Sequence, residues 1–211
     1  MNKSLKEAKE FVVFQIIKKL ENTYKDYIQN VEGFDKIPDF FKNYLYAPSN
    51  KEERDMVLEN LYNKLLNLVG KDMVENIYKL IQLIKISDEL DLEIAEELLK
   101  QNLISDNHFD FENIEKIIHK KNQYEKRKQQ IELICETLSF FFALAKLPVI
   151  KLVMAPIKVA ANLVGAEVLV ETMEEGYKIS KNIKDMKPFI QDFRKRELEF
   201  LDKIKSKYSY S

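Results

Sequence analysis

Apolar residues recur every three or four positions along most of this chain, and that period admits one kind of backbone. Leu5, Ala8, Val12, Ile16 and Leu20 fall on one stripe, widened by Phe11 and Ile17. Leu58, Leu61, Tyr62, Leu65, Leu68 and Val69 form another, and Val74, Ile77, Tyr78, Ile81 and Ile84 a third. Ile131, Ile134, Cys135, Leu138, Phe141, Phe142 and Ala145 make the best-formed stripe. Such spacing marks amphipathic helices buried on one side. Turn residues are correspondingly scarce, with 4 Gly and 5 Pro in 211 residues. That scarcity argues against a β-sandwich or barrel, which needs frequent tight turns, and against a Gly-rich phosphate loop. The predicted fold is all-α, an irregular bundle of about seven to nine helices around residues 131–170.

Helix ends are legible in places. Ser4 with Glu7 three residues on has the form of a capping box, and predicts a helix from Ser4 to about Tyr27. Gly33 breaks the pattern, Pro38 is placed to start a helix and Pro48 to end one. Phe40, Phe41, Tyr44 and Leu45 would share one aromatic-apolar face. Ser49 and Glu52 repeat the capping-box spacing, and Gly70 suits a helix stop. The helix from Val74 either runs on or restarts at Ser87, and Asp88, Glu89 and Asp91 favour the restart as an acidic first turn. Ser105–Asn107 is a predicted turn, and Phe111, Ile114 and Ile118 begin another helix. Residues 122–130 are polar on all sides, either a solvated helical stretch or a joint. Pro148 and Pro156 are expected to break the following helices, with one running from Pro156 through Glu174. Gly176 either is tolerated within a helix or lets two helices approach closely, and Pro188 marks a kink or a fresh start. With no repeat and no linker, residues 1–211 read as one domain with a tail fraying from about 206.

Composition narrows the function classes. Hydrophobic residues are 45% and charged residues 33%, enough for a globular core. Lys+Arg 34 against Asp+Glu 35 leaves a net charge of −1. No basic field exists to recruit nucleic acid, and the basic run 116–128 is diluted by Glu115 and Glu125. Residues 138–170 are the most apolar segment, but Lys146, Lys151, Lys158 and Glu167 interrupt it. Its charge-free stretches fall well short of the roughly 20 residues a spanning helix needs. The first 20 residues do not read as a signal peptide. One cysteine, Cys135, cannot form an internal disulfide. These features together predict a cytoplasmic protein, and heavy use of Lys, Ile, Asn and Glu suggests a bacterial source.

The sharpest chemical pattern is His108-x3-Glu112-x2-Glu115-x3-His119, which lies on one helical face. Eleven residues of helix extend about 16 Å, so the two histidines cannot share one ion. A solvated polar face is the expected reading, and a metal-binding protein using residues 108–119 the weaker alternative. Cys135 lies on an apolar stripe and reads as a buried thiol rather than a nucleophile. The acidic residues carry no spacing that nominates an acid–base pair. No catalytic residue, metal ligand or cofactor is therefore nominated, and an enzyme is not the expected class.

One set of short motifs resembles a known family. Phe40, Phe41, Leu45 and Tyr46 match four positions of the motif for which the bacterial FFLEELY proteins are named, while Lys42, Asn43 and Tyr44 depart from it. Further matches follow in that family's order: Pro48, Arg54-Asp55, Glu89-Leu90-Asp91 with Ala95, Arg127-x-x-Gln130-Ile131, Pro148, Pro156, Glu175-Gly176-Tyr177 and Arg196-Glu197. The resemblance covers roughly residues 38–200. It implies an all-α protein of this length and implies no activity.

The function expected is a non-enzymatic cytoplasmic interaction or adaptor protein with an unidentified protein partner. The alternative is a peripheral membrane or lipid-binding protein, resting residues 138–170 and their lysines on an anionic surface. Tyr46, Arg54 and Asp55 are candidate binding residues because their polar groups require partners wherever they are buried, and Arg127, Arg196 and Glu197 join them as positions matched by the resemblance.

Overall fold

A computed structural model describes residues 4–45, 60, 62–64, 71–104, 110–147 and 150–209. The described residues include no strand; residues 60 and 62–64 are helical, and nine α-helices have both ends among the described residues. They are α1 Leu5–Thr23, α2 Lys25–Asn30, α3 Ile37–Phe40, α4 Lys71–Lys100, α5 Glu112–Lys120, α6 Tyr124–Ala145, α7 Ile150–Asn162, α8 Glu167–Asn182 and α9 Lys187–Tyr208. A π-turn, Phe41–Leu45, follows α3. The best-formed stripe became the hub. Helix α6 packs on α4, α8 and α9, α1 closes over α4, and α7 packs on α8. The sequence motifs Ser49–Glu52, Gly70, Ser105–Asn107 and Pro148 lie outside the described residues.

The apolar core has two parts. The larger joins Val13 and Ile17 of α1, Leu80 and Leu83 of α4, Ile131–Leu144 of α6 and the inner faces of α8 and α9. The smaller joins Ala8 and Val12, Ile94 and Leu98, Ile114, Ile117 and Ile118, Tyr124 and Ile204. Each fully buried Leu, Ile or Phe contributes on the order of 1.5–3 kcal/mol. Phe40, Phe41 and Tyr44 dock the π-turn on the larger cluster, with the Phe40 ring edge-on to Phe141 at 5.7 Å and stacked on Tyr44 at 5.9 Å. Three members of the predicted aromatic-apolar face come together, Phe40 at the end of α3 and Phe41 and Tyr44 on π rather than α backbone, while the Leu45 side chain lies outside those described.

Several helix ends depart from expectation, each for a local reason. The Ser4–Glu7 capping box forms, with the Ser4 amide donating to Glu7 Oε2 at 2.7 Å and the Glu7 amide to Ser4 Oγ at 3.3 Å. The helix it opens stops at Thr23 instead of reaching Tyr27. Arg196 Nη1 donates to the Thr23 carbonyl at 2.7 Å, and the Tyr27 amide bonds Tyr24 O instead. Helix α4 does not restart at Ser87; it runs unbroken for 30 residues. Ser87 and Asp88 are buried against tertiary partners, described below, so neither caps a helix. Pro156 does not break α7 but lies inside it. The break falls at 163–166, where Gly165 takes φ +74° and the Ala166 amide reaches back to Ala161 O at 2.9 Å. Asn102 and Asn122 do the same work at positive φ for α4 and α5, with Leu103 bonding Leu98 O and Gln123 bonding Ile118 O, each at 3.0 Å. A chain this poor in glycine uses Asn, whose short polar side chain tolerates the left-handed conformation. Pro188 is a fresh start, in the first turn of α9. That helix continues through Tyr208, past the point where fraying was expected.

Candidate functional site

A polar layer separates the two apolar clusters. Helix α4 contributes Ser87, Asp88 and Asp91, α1 contributes Lys9, and Gln123, Arg127 and Gln130 come from the start of α6. Gln123, Arg127 and Gln130 follow i, i+4, i+7 spacing, which puts them on one face. Gln130 Nε2 donates to Ser87 Oγ at 2.8 Å. Arg127 Nη1 donates to Gln130 Oε1 at 2.9 Å and its Nε to Gln123 Oε1 at 3.3 Å. Gln123 Nε2 donates to Glu93 Oε2 at 2.7 Å. Lys9 meets Asp88 in an ion pair at the edge of the layer.

At the centre, Arg127 Nη2 lies 3.6 Å from Asp91 Oδ1, and neither atom has a hydrogen bond. Burial pushes the Asp91 carboxyl up to about 6, against the opposing pull of Arg127 and Lys9. A buried pair of this kind adds little net stability, because desolvation offsets most of the attraction. Residues 122–130 turn at Asn122 and then run as α6, with Gln123, Arg127 and Gln130 buried and Glu125, Lys126 and Gln129 exposed. The expected solvated helical stretch is present on the outer side of this segment, while its other side is a buried polar face.

Arg127 and Glu197 come together; Arg196 faces elsewhere. A cavity of about 60 Å³ among α1, α5, α6 and α9 is lined by Lys19, Arg127, Gln130 and Glu197 at its polar edge, and otherwise by apolar side chains such as Phe111, Phe193 and Phe200. That is room for a few water molecules. Lys19 Nζ donates to both Glu197 oxygens at 2.6 Å, and the Tyr24 hydroxyl donates to Glu197 Oε1 at 2.9 Å. Burial lowers the Lys19 pKa, and Glu197 opposes that shift. Burial and Glu197 together hold the Tyr24 hydroxyl protonated. Arg196 instead joins Thr23 O, Asp26 at 2.7 Å and Asp192 at 2.6 Å, with its guanidinium 5.4 Å from the Tyr24 ring centre. These contacts tie α9 to the α1–α2 junction. Tyr46, Arg54 and Asp55, like His108, lie outside the described residues.

Among the described residues, the remaining chemistry nominated from sequence is engaged within the fold. His119 Nδ1 is 2.8 Å from the Tyr124 hydroxyl. Glu112 and Glu115 take Tyr208 and Lys207. Among the described residues no group of three or more His, Cys, Asp or Glu is arranged to hold a metal ion. Cys135 is buried, its thiol pushed up to about 11 by desolvation. Cations of the basic run meet carboxylates: Lys120 and Lys121 meet Glu97, Lys126 meets Glu89 at 2.5 Å, and Lys128 meets Glu125 at 2.9 Å. No described helix is long and apolar enough to cross a membrane.

One surface has no such internal account. At the α7–α8 corner Val159, Leu163 and Val168 are 60%, 68% and 63% exposed. Val159 and Leu163 are one turn apart, with the Leu163 amide on Val159 O at 3.2 Å. Helices α7 and α8 pack on each other across the 163–166 connection, and Lys158 pairs with Glu174 between them. Met154, Ile157 and Ala161 fill the opposite, buried face of α7. The available sequence signal was that α7 is apolar on both sides.

No curated protein and no solved structure gives a significant match to this chain. One family model does match, over residues 2–210, and the chain belongs to that family, described as a domain of unknown function, DUF8198.

Proposed function

We propose that this is a non-enzymatic interaction protein that docks a protein partner through the α7–α8 corner. The observation carrying this reading is the contrast between that corner and the rest of the polar chemistry. Among the described residues, Lys120, Lys121, Lys126, Lys128, Lys158, His119 and Cys135 are engaged by neighbouring side chains or buried, whereas three large apolar side chains at one corner are about two-thirds exposed. Contiguous exposed apolar surface on a globular domain marks interaction sites. A cytoplasmic setting and the bacterial, FFLEELY-like ancestry implied by the motifs belong to this proposal.

The membrane reading of residues 138–170 has less support. Phe140, Phe141 and Met154, part of its apolar face, are buried. Lys158 is engaged by Glu174, and the exposed Glu167 and Glu171 flank Val168. Carboxylates at that position repel anionic lipid.

The test is a photo-crosslinking amino acid placed at position 163 in cells, with position 203 on the exposed side of α9 as control. A discrete protein adduct at 163 and none at 203 is the expected outcome. Equal labelling at the two positions would remove the corner as the docking site.

A further inference from the structure

We infer that the partner's docking element is a basic amphipathic segment, apolar on one side and flanked by Lys or Arg. This rests on the corner being the docking surface and adds the chemistry of what it binds. Charge beside the apolar patch points to the chemistry of its occupant. Glu167 and Glu171 are one turn apart on α8 and stand on either side of Val168 in sequence. Both are exposed, and neither has an ion-pair partner among the described residues. The nearby charges cancel in pairs, Lys158 with Glu174 and Glu175 with Lys178 at 2.9 Å. Two exposed carboxylates without an ion-pair partner among the described residues therefore lie next to Val168, which follows Leu163 by five residues. Their field steers a cationic segment and disfavours an acidic one, and side-by-side apolar contact supplies the remaining affinity.

The experiment titrates the full chain against two fluorescent 18-residue amphipathic peptides with the same leucine face. One carries Lys and the other Glu on its polar face. The Lys peptide is expected to bind, and the Glu peptide to bind at least tenfold more weakly. Glu167→Gln with Glu171→Gln should weaken the Lys peptide about three- to tenfold, since each exposed ion pair contributes a fraction of a kcal/mol to about one. Removing the same charge at Glu199→Gln with Asp202→Asn on α9 should leave binding within twofold. Equal weakening by both pairs of substitutions would reduce the effect to net charge and overturn the inference.

Other outcomes also decide it. Equal binding of both peptides, lost in Leu163→Asp, keeps the docking surface and overturns its charge preference. Failure of the Lys peptide to bind overturns the basic segment, while the crosslink at 163 separately decides the surface. Cosedimentation with phosphatidylglycerol vesicles that Leu163→Asp abolishes would assign the corner to lipid. A dimer abolished by the same substitution would assign it to a second copy of the chain. Either result overturns the inference.

Discussion

Arg127 faces Asp91 across the α4–α6 interface at 3.6 Å, with both groups buried and neither reaching hydrogen-bond distance. The pair sits in a polar layer between two apolar clusters, where an error in helix register would leave a charge alone in the core. Removing one partner is therefore far more costly than removing both. Arg127→Met should cost about 3–5 kcal/mol in urea unfolding, and Arg127→Met with Asp91→Leu markedly less. A double substitution as damaging as the sum of the singles would show that the two groups do not interact.

The same carboxylate gives a pH signature. Its folded pKa, about 6, lies above its ordinary value of 3.8. The native state thus holds the proton over a range where the unfolded chain has released it. The Asp91 contribution to stability falls as pH rises from about 4 to 6. Asp91→Asn should remove that slope, read as the difference in unfolding midpoint between pH 4 and pH 6.5 relative to the parent chain.

Glu97 works in the opposite direction. Hydrogen bonds from Lys120 and Gln101, aided by Lys121, hold its carboxyl down at about 2. A depressed carboxylate contributes stability above its ordinary value of 4.5 that is lost as pH falls toward 2. Lys120→Ala should move the Glu97 titration upward, followed by carboxyl-carbon NMR. An unmoved titration would show that Lys120 does not hold the carboxylate.

Gly176 resolves as a close approach. A Cβ there would stand 2.6 Å from the Phe141 ring, so α6 and α8 are spaced for glycine. Gly176→Ala should destabilise by about 1–3 kcal/mol despite its better helix propensity. Phe141→Leu should lessen the effect of the alanine, and an additive pair of losses would refute the steric account.

At the α7–α8 corner the stability expectation is null. Val159→Gln and Leu163→Gln should change unfolding free energy by no more than about 0.5 kcal/mol, as for surface positions without special contacts. A loss of 2 kcal/mol or more would place these side chains in the core.

What the sequence by itself determined was the class of structure. Helical periodicity with few turn residues left no alternative to an all-α bundle; of residues 131–170, expected at its centre, the 131–145 stripe is the hub, whereas α7 packs on α8 with Val159 and Leu163 exposed. Local signals that act over four residues, such as the Ser4–Glu7 capping box and Pro188 at a helix start, came through because their physics is contained in the chain segment itself. Ser87 and Asp88 misled for the converse reason. Their residue types suit a helix start, but Gln130 and Lys9 engage them from distant positions, and α4 runs on. Arg196 likewise ends α1 by taking the Thr23 carbonyl from 173 residues away. The tertiary structure alone decided which polar residues are inside, because burial depends on what packs against a helix. It brought Arg127 to Asp91 and Glu197 to Lys19, and it left Val159, Leu163 and Val168 without a neighbour to cover them.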